Sequence, residues 1–592
     1  MNKLDMESKN IIESNIEKLK ELFPSCVQED KIDFDMLKQE LSSVVIDDKK
    51  EKYQLTWPGK KEAIVNANTP SKDTLRPIKE KSVDFNKTEN IYIEGDNLEA
   101  LKILQESYLN KIDCIYIDPP YNTGSDLIYN DTFRNENELL DSGQIDYLGN
   151  RLVTNSNANG KFHSDWLSMM YPRLKLARNL LNKNGVIFIS IDENEYMNLK
   201  KICDEIYGEN NYIGDIIRKT KSMTNDSGCG FNNQHEYLLI YCKDNQNVNL
   251  VGNSKKFENY KNPDNDPNGD WCSGDPSAKS GGKGTYFAIE NPYTKRIDYP
   301  PTGRYWAFNE NTFKEYVKQG RIKFKTEYSE KERGFIFKRY KKDLKTFSLP
   351  LDSLFGVSNE YMNQVATKEL STLMKNSLFS YPKPVEYIKK IINSINNKEA
   401  IVLDFFSGSA TTAHAVIECN NDDKGKRKFI LIQLPEKIND NMTISDFALS
   451  RLKKLNSNFG FRVYKIDSSN MKDVYYKPSE LGQTDLFDLM SNIKEDRTPE
   501  DLLTQVMLDL GLTLDLKIEE KTILNNKVYY VADNALVACF DDNVDINIID
   551  EICKCKPLKV VFKDMSFKSD KDKINLEERV KKLSPDTEIS IL

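Results

Sequence analysis

The stretch Ile112 to Gly124, IDCIYIDPPYNTG, constrains the rest of the chain most. Ile112 to Ile117 is a short apolar run rich in β-branched and aromatic residues, interrupted only by Asp113, and it reads as a buried strand. The run stops at Asp118-Pro119-Pro120-Tyr121. Neither proline has an N–H to donate, so the ladder ends there, and the two rings stiffen the turn. A carboxylate, two proline carbonyls and an aromatic ring are thereby held at a strand end. In open α/β sheets that edge is where ligands bind.

The chemistry open to such a corner is specific. The exocyclic amino group of a nucleobase has two hydrogens, and Asp118 and the Pro119 carbonyl offer one acceptor for each. Accepting both draws the nitrogen towards sp3 and frees its lone pair for attack, while Tyr121 stacks on the ring. Only a base extruded from the stack reaches a pocket of this kind. The plain alternative is a proline-rich turn closing a core strand; Asn122-Thr123-Gly124 directly after the corner favours a site. The stretch resembles motif IV of the amino-methyltransferases that act on DNA. The longer match YIDPPYNTGSDLIYNDTF, residues 116–133, is similar to the modification subunits of type III restriction–modification systems. The resemblance implies adenine N6 as target, because cytosine-N4 enzymes usually carry Ser in place of this Asp.

A second strand–turn–helix pattern lies far downstream, in IVLDFFSGSATTAHAVIE. Asp404 at its strand end can accept from a cationic amine, Gly408 lets backbone approach a ligand, and the helix start beyond presents free N–H groups. A carboxylate for an ammonium, with backbone for a ribose, is what S-adenosyl-L-methionine needs. Pro382-Lys383-Pro384, some twenty residues before Asp404-x-Phe406-x-Gly408-Ser409, resembles motifs X and I of the same methyltransferases. That likeness implies cofactor contacts from Pro382, Lys383, Asp404, Phe406, Gly408 and Ser409. Ala410 departs from the family's FxGxG ending, and serves if its φ is negative. The acidic ribose holder expected after the next strand is replaced by Gln433, so the ribose falls to Gln433 or Glu436. Upstream, NIYIEGDNLEALKIL predicts a strand, a turn and a helix capped by Asp96 or Asn97; the resemblance implies that Asp96 also touches the cofactor. Asp192-Glu193 at another strand end and His235 in HEYLLIYCK are weaker candidates near the base.

The net charge of −8 looks wrong for a DNA binder until its distribution is read. Residues 321–345 form a basic stripe in an acidic chain, with Arg321, Lys323, Lys325, Arg333, Lys338 and Arg339 as the candidate DNA contacts. Short aromatic runs before the stripe predict small strands joined by turns, a target-recognition insert over 245–372. SGGKGT lacks the Ser or Thr of a phosphate loop, and no Walker-type site exists, which argues against a translocase. The three histidines and the absence of paired CxxC sets among ten cysteines argue against a metal site. The thiols read as free in a reducing cytoplasm, with no membrane span and no signal peptide.

Together the readings predict an α/β chain in five parts. Residues 1–60 form a helical region, 61–244 and 373–477 the catalytic and cofactor parts of one domain, and 478–592 a small acidic α+β domain for dimer or partner contacts. The order of motifs implies the β class of DNA methyltransferases. That class has a Rossmann-like, doubly wound, mostly parallel sheet built from two segments around the insert. It implies a cytoplasmic modification subunit that binds double-stranded DNA and S-adenosyl-L-methionine, forms a homodimer and pairs with a restriction (Res) subunit. The alternatives are a catalytically inactive specificity subunit and a cytosine-N4 methyltransferase.

Overall fold

The computed structural model describes residues 11–28, 31–42, 55–124, 127–129, 152–154, 160–223, 230–356, 358–375, 378–379, 381–455, 459–472, 493–542, 544–567 and 570–592. The chain divides into two compact units, Met1–Leu250 with Asp352–Leu592, and Val251–Leu351. The larger unit is built on a ten-stranded sheet. In chain order its strands are β1 (Asp73–Pro77), β2 (Ile91–Glu94), β3 (Ile112–Ile117), β4 (Leu181–Ile191), β5 (Tyr212–Lys219), β6 (His235–Cys242), β7 (Leu354–Phe355), β8 (Ile401–Asp404), β9 (Lys428–Gln433) and β10 (Arg462–Ser468). Across the sheet they run β7-β5-β6-β4-β3-β8-β9-β2-β10-β1. From β4 to β10 every neighbouring pair is parallel. Strand β6 runs against both its neighbours, and β1 runs against β10. The result is a doubly wound, mostly parallel α/β sheet assembled from sequence on both sides of the insert.

The central strands read as unbroken apolar runs because helices cover them and both faces are buried. Helices α1 (Asn97–Tyr108), α2 (Phe162–Leu180) and α3 (Tyr196–Tyr207) pack in series, and α4 (Val385–Ser394) packs on α5 (Thr411–Asp423). Ile115, Ile117, Ile187, Ile189, Leu403 and Ile430 share one core with Leu101, Leu104, Met170 and Leu174 of the helices. Asp113, the single polar residue of β3, pins that strand between its neighbours. It accepts from the Ile401 N–H at 2.8 Å, from Asn397 at 3.1 Å and from Asn182 at 2.9 Å.

Residue type alone suggests Ser164 or Asp165 as the cap of α2 and a left-handed turn at Gly185, and the structure corrects both. Helix α2 starts at Phe162 with Lys161 at its N-cap and no side-chain cap bond, so neither Ser164 nor Asp165 caps it. Gly185 lies within β4, not in a left-handed turn; it is required by close approach, since a Cβ there would sit 2.9 Å from the Ile112 carbonyl oxygen.

The insert is compact over Val251–Leu351, narrower than 245–372, because β7 pairs with β5 and the helix Asn363–Met374 lies in the larger unit. It holds an antiparallel sheet of Trp271–Gly274, Phe335–Tyr340 and Ile322–Phe324 around Trp306, Phe308 and Phe335. The C-terminal region carries five strands, from Ile518–Ile523 to Glu588–Ile591, and belongs to the larger unit. Buried Arg462 of β10 ties it there by donating to the carbonyls of Phe85, Leu514 and Leu516. Most of the polar stretch 125–160, and residues 224–229 of the loop after β5, lie outside the described residues. Among the described residues no helix is long and apolar enough to cross a membrane.

Replacing Asp113 by Ala strips three donors of their acceptor. Chemical denaturation should show a loss of about 1–3 kcal/mol with an unchanged slope.

Candidate active site

Strands β4, β3, β8, β9 and β2 end on one edge of the sheet, and their last residues are Ile191, Ile117, Asp404, Gln433 and Glu94. The topology therefore brings Asp118, Asp404, Gln433 and Asp96 to one side, although more than 300 residues separate the first motif from the last. This is the carboxyl edge at which doubly wound sheets bind ligands.

The corner after β3 is fixed from both sides. Trp166 of α2 donates its indole N–H to the Pro120 carbonyl at 2.8 Å. Asn122 takes a left-handed conformation, φ +60°, which Asn tolerates, and its amide donates to Glu195 at 2.6 Å. Glu195 is itself buried, bonded by Asn198 at 2.7 Å and facing His163 Nδ1 at 2.6 Å. Within the corner, the Tyr121 hydroxyl donates to Asp118 Oδ1 at 3.0 Å. Lys383 Nζ lies 2.8 Å from the same carboxylate oxygen, donates to the Tyr121 hydroxyl at 2.9 Å and stands 4.9 Å from the centre of the Tyr121 ring.

Behind Lys383 is a second ion pair. Arg218, fully buried in β5, donates to Glu236 of β6 at 2.8 Å, to the Tyr361 carbonyl at 2.7 Å and to Asn363 at 2.7 Å. Its guanidinium lies 5.0 Å over the ring of Tyr387. Burial pushes the Glu236 carboxyl up, but Arg218 and Lys383 more than offset it and hold it below the usual carboxylate range. Burial, then Asp118 and Glu236, push the Tyr121 hydroxyl well up, so it stays protonated as a donor. Asp192 is pushed up to about 6 by burial and bonds Asn194. His235 Nε2 lies 3.2 Å from the Tyr237 hydroxyl.

The loops after β2, β8 and β9 brace one another. Asp96 caps α1 by accepting from Leu98 and Glu99, and buried Arg173 lies 3.6 Å from its other oxygen. Asn97 bonds the Phe405 carbonyl at 2.7 Å. Asp404 is turned inward, only 2% exposed, accepting from the Phe406 N–H and the Thr412 hydroxyl. Burial raises its carboxyl to about 7. The Gln433 amide is consumed by the fold: its oxygen accepts from the Gly408 N–H at 2.7 Å and its nitrogen donates to the Leu434 carbonyl. Gly408 has φ +50°, a conformation that favours glycine. Ala410 also takes the left-handed region, φ +60°, so the condition of a negative φ is not met. That costs about 1–2 kcal/mol. The strain is held by Arg451, which is buried and bonds the Ser409 carbonyl, the Ser409 hydroxyl and the Thr411 hydroxyl at 2.9–3.0 Å. The Ser409 side chain thus serves the loop from inside. Pro382 is buried, Phe406 and Glu436 are half-buried.

In the insert the basic stripe divides. Lys338 is only 4% exposed and pairs with Asp264 and Asp266 beneath Trp271, so it is a core ion pair and not a DNA contact. Arg321 pairs with Asp343, Lys325 with Glu332, and Arg333 is half-buried against Trp306. Lys323 is exposed but pairs with Asp264 at 2.8 Å, and Arg339 is exposed.

Sequence reading missed the Arg218–Glu236 pair and the braces Arg451 and Arg173. A signal existed for the first: an arginine inside the apolar strand YIGDIIRKT requires a buried partner.

The family of DNA methylases matches residues 112–443, a span that contains the corner, the insert and the loops after β8 and β9. The chain is 34% identical over 453 residues to the StyLTI type III Mod subunit of Salmonella typhimurium, covering 71% of this chain and 67% of that one. It is 30% identical over 641 residues to the EcoP15I Mod subunit of Escherichia coli, covering 95% of this chain and 94% of that one. The chain belongs to the Mod subunits of type III restriction–modification enzymes. The EcoPI Mod subunit of Escherichia phage P1 is similar too, 32% identical over 501 residues. In this Mod subunit the match to the methylase family begins at Ile112, the first residue of β3.

The braces of the cofactor edge can be tested one by one. Arg451→Met should leave the fold but weaken ligand binding at this edge about tenfold by calorimetry, because the Ser409 carbonyl loses its brace. Asp404 has its carboxyl raised on folding, so its contribution to stability is full below about pH 4 and lost as pH rises through about 7. The denaturant midpoint of the parent chain relative to that of Asp404→Asn should fall across that range.

Proposed function

We propose that this Mod subunit methylates N6 of an adenine extruded from duplex DNA, using S-adenosyl-L-methionine. The observation that carries the reading is the corner itself: Asp118, the rigid Pro119-Pro120 turn and Tyr121, pinned by Trp166 and Glu195 at the carboxyl edge of the sheet. The residues on the neighbouring loops fit the donor. Asp96 and Glu436 supply carboxylates for its ammonium and ribose, Phe406 an aromatic wall and Gly408 a close backbone approach. Gln433 supports this by bracing Gly408, since its amide is already consumed, which leaves the ribose to Glu436. When bound, S-adenosyl-L-methionine supplies an electrophilic methyl on a sulfonium.

The chain's own residues do the rest. Asp118 and the Pro119 carbonyl accept the two amino hydrogens, Tyr121 stacks on the purine, and the lone pair of N6 is left facing the methyl. As the N–C bond would form, the methyl's bond to sulfur would break with its electron pair remaining on sulfur as a neutral thioether, and the proton lost from N6 would pass to solvent, directly or by way of Asp118. Duplex DNA is held through phosphates by exposed Arg339 of the insert, with Lys323, Arg321, Lys325 and Arg333 adding weaker contacts because each already faces a carboxylate. We assign the acidic region 478–592 to contact with a second copy or a Res subunit, in the cytoplasm. Its acidity disfavours DNA there.

Digestion of DNA modified by the purified chain, with identification of the methylated nucleoside, tests the reading. N6-methyl-2'-deoxyadenosine is expected; N4-methyl-2'-deoxycytidine would move the target, and no methylated base together with no heat on cofactor titration would indicate an inactive specificity subunit. Asp118→Ala should retain cofactor binding while single-turnover methylation falls at least about a thousandfold, since both orientation and lone-pair release are lost. Arg339→Ala should weaken DNA binding equally across sequences and lower the salt slope by about one phosphate contact.

A further inference from the structure

Lys383 lies where the target amino group has to go. Its ammonium donates to the Tyr121 hydroxyl and sits 2.8 Å from Asp118 Oδ1, the acceptor assigned to N6. It also occupies space 4.9 Å from the centre of the Tyr121 ring, on which the base would stack. An ammonium and an amino group are both N–H donors of similar size, so the two compete for one seat. The resemblance to motif X implied a cofactor role for Lys383, yet its polar neighbours are all on the target side. They are Asp118 and Tyr121 after β3, and Glu236 of β6 at 3.7 Å, backed by Arg218 of β5. Tyr387, on α4 just beyond Lys383, packs under Arg218. The local charges balance, with two carboxylates against two cations.

We infer that Lys383 is a placeholder for the base: it holds Asp118 while no base is present and passes to Glu236 when one enters. The inference rests on the proposed adenine methylation. Simple expulsion of a half-buried lysine into a site being closed by a base would leave a cation unpaired, which is strongly unfavourable. Glu236 removes that obstacle. Its Oε1 is already within 4 Å of Nζ, and a small rotation of the flexible lysine stem exchanges one charge-assisted bond for another. Base entry is then close to an even exchange at the corner. Glu236 and Lys383 act through Asp118 and are positioning residues.

The test uses the full chain, a duplex carrying its modification site with adenine at the target and 2-aminopurine as its neighbour in the strand, whose emission rises when the adenine leaves the stack, and S-adenosyl-L-methionine titrated separately by calorimetry. Lys383→Met should leave cofactor affinity within about twofold and give 2-aminopurine emission equal to or above that of the parent, because no ammonium has to move. Glu236→Gln should reduce the emission severalfold, because Lys383 has lost its second anion. The double variant, Glu236→Gln with Lys383→Met, should recover it. A double variant no better than Glu236→Gln alone overturns the inference. So does a tenfold loss of cofactor affinity in Lys383→Met, which would place the lysine on the cofactor side. Should Glu236→Gln fail to fold with Arg218 unpaired, Lys383→Met alone decides: undiminished emission with unchanged cofactor affinity supports the inference, and a fall in either overturns it. The parent chain is the control. If it leaves no N6-methyl-2'-deoxyadenosine, both readings fall; if it does and the variants behave otherwise, only the placeholder falls.

Discussion

Two successive prolines end the central strand of a parallel sheet, and the rest of the site depends on that stop. A ladder that continued past Ile117 would bury Asp118 between strands; the missing N–H groups put it on the open edge instead. The turn beyond the strand is held rigid by few contacts: an indole N–H on the Pro120 carbonyl and a buried glutamate on Asn122. The strand itself is fixed at its other end by Asp113, so position is transmitted along six residues from one carboxylate to another. Preorganisation of this kind is what makes a hydrogen-bond acceptor useful to a reaction, because no reorganisation is needed when charge develops.

The cofactor edge obeys a different logic. Nearly every polar group the sequence offered there is spent on the loops themselves. Asp404 turns inward, Gln433 holds Gly408, and Ser409 is taken by Arg451. The strained backbone at Ala410 persists because the surrounding bonds over-determine it. Such a loop presents backbone and shape to a ligand, with side-chain charge supplied from neighbouring strand ends.

The two strand–turn units of the site were legible because β3 and β8 each carry an apolar run broken by an abrupt turn; their assembly into one sheet was what the resemblance implied. The corner was legible because Pro-Pro has few structural uses. Side-chain direction was not. Lys338 sits in an alternating strand, and only its register, opposite Ser273 and turned towards Asp264 and Asp266, shows that it faces inward. Lys383, between two prolines, gave no sign that it points at Asp118. Gly185 read as a turn because Asn-Gly usually is one; here it admits a neighbouring carbonyl. In each case the deciding partner lies more than seventy positions away in the chain, which local pattern cannot encode.

The most direct measurement is a crystal structure of the chain with duplex DNA and a non-reactive cofactor analogue. The account predicts an extruded adenine whose N6 lies about 3 Å from both Asp118 and the Pro119 carbonyl, with Tyr121 against its ring. An unstacked base bound elsewhere, or a corner still sealed by packed side chains with DNA in place, would contradict it.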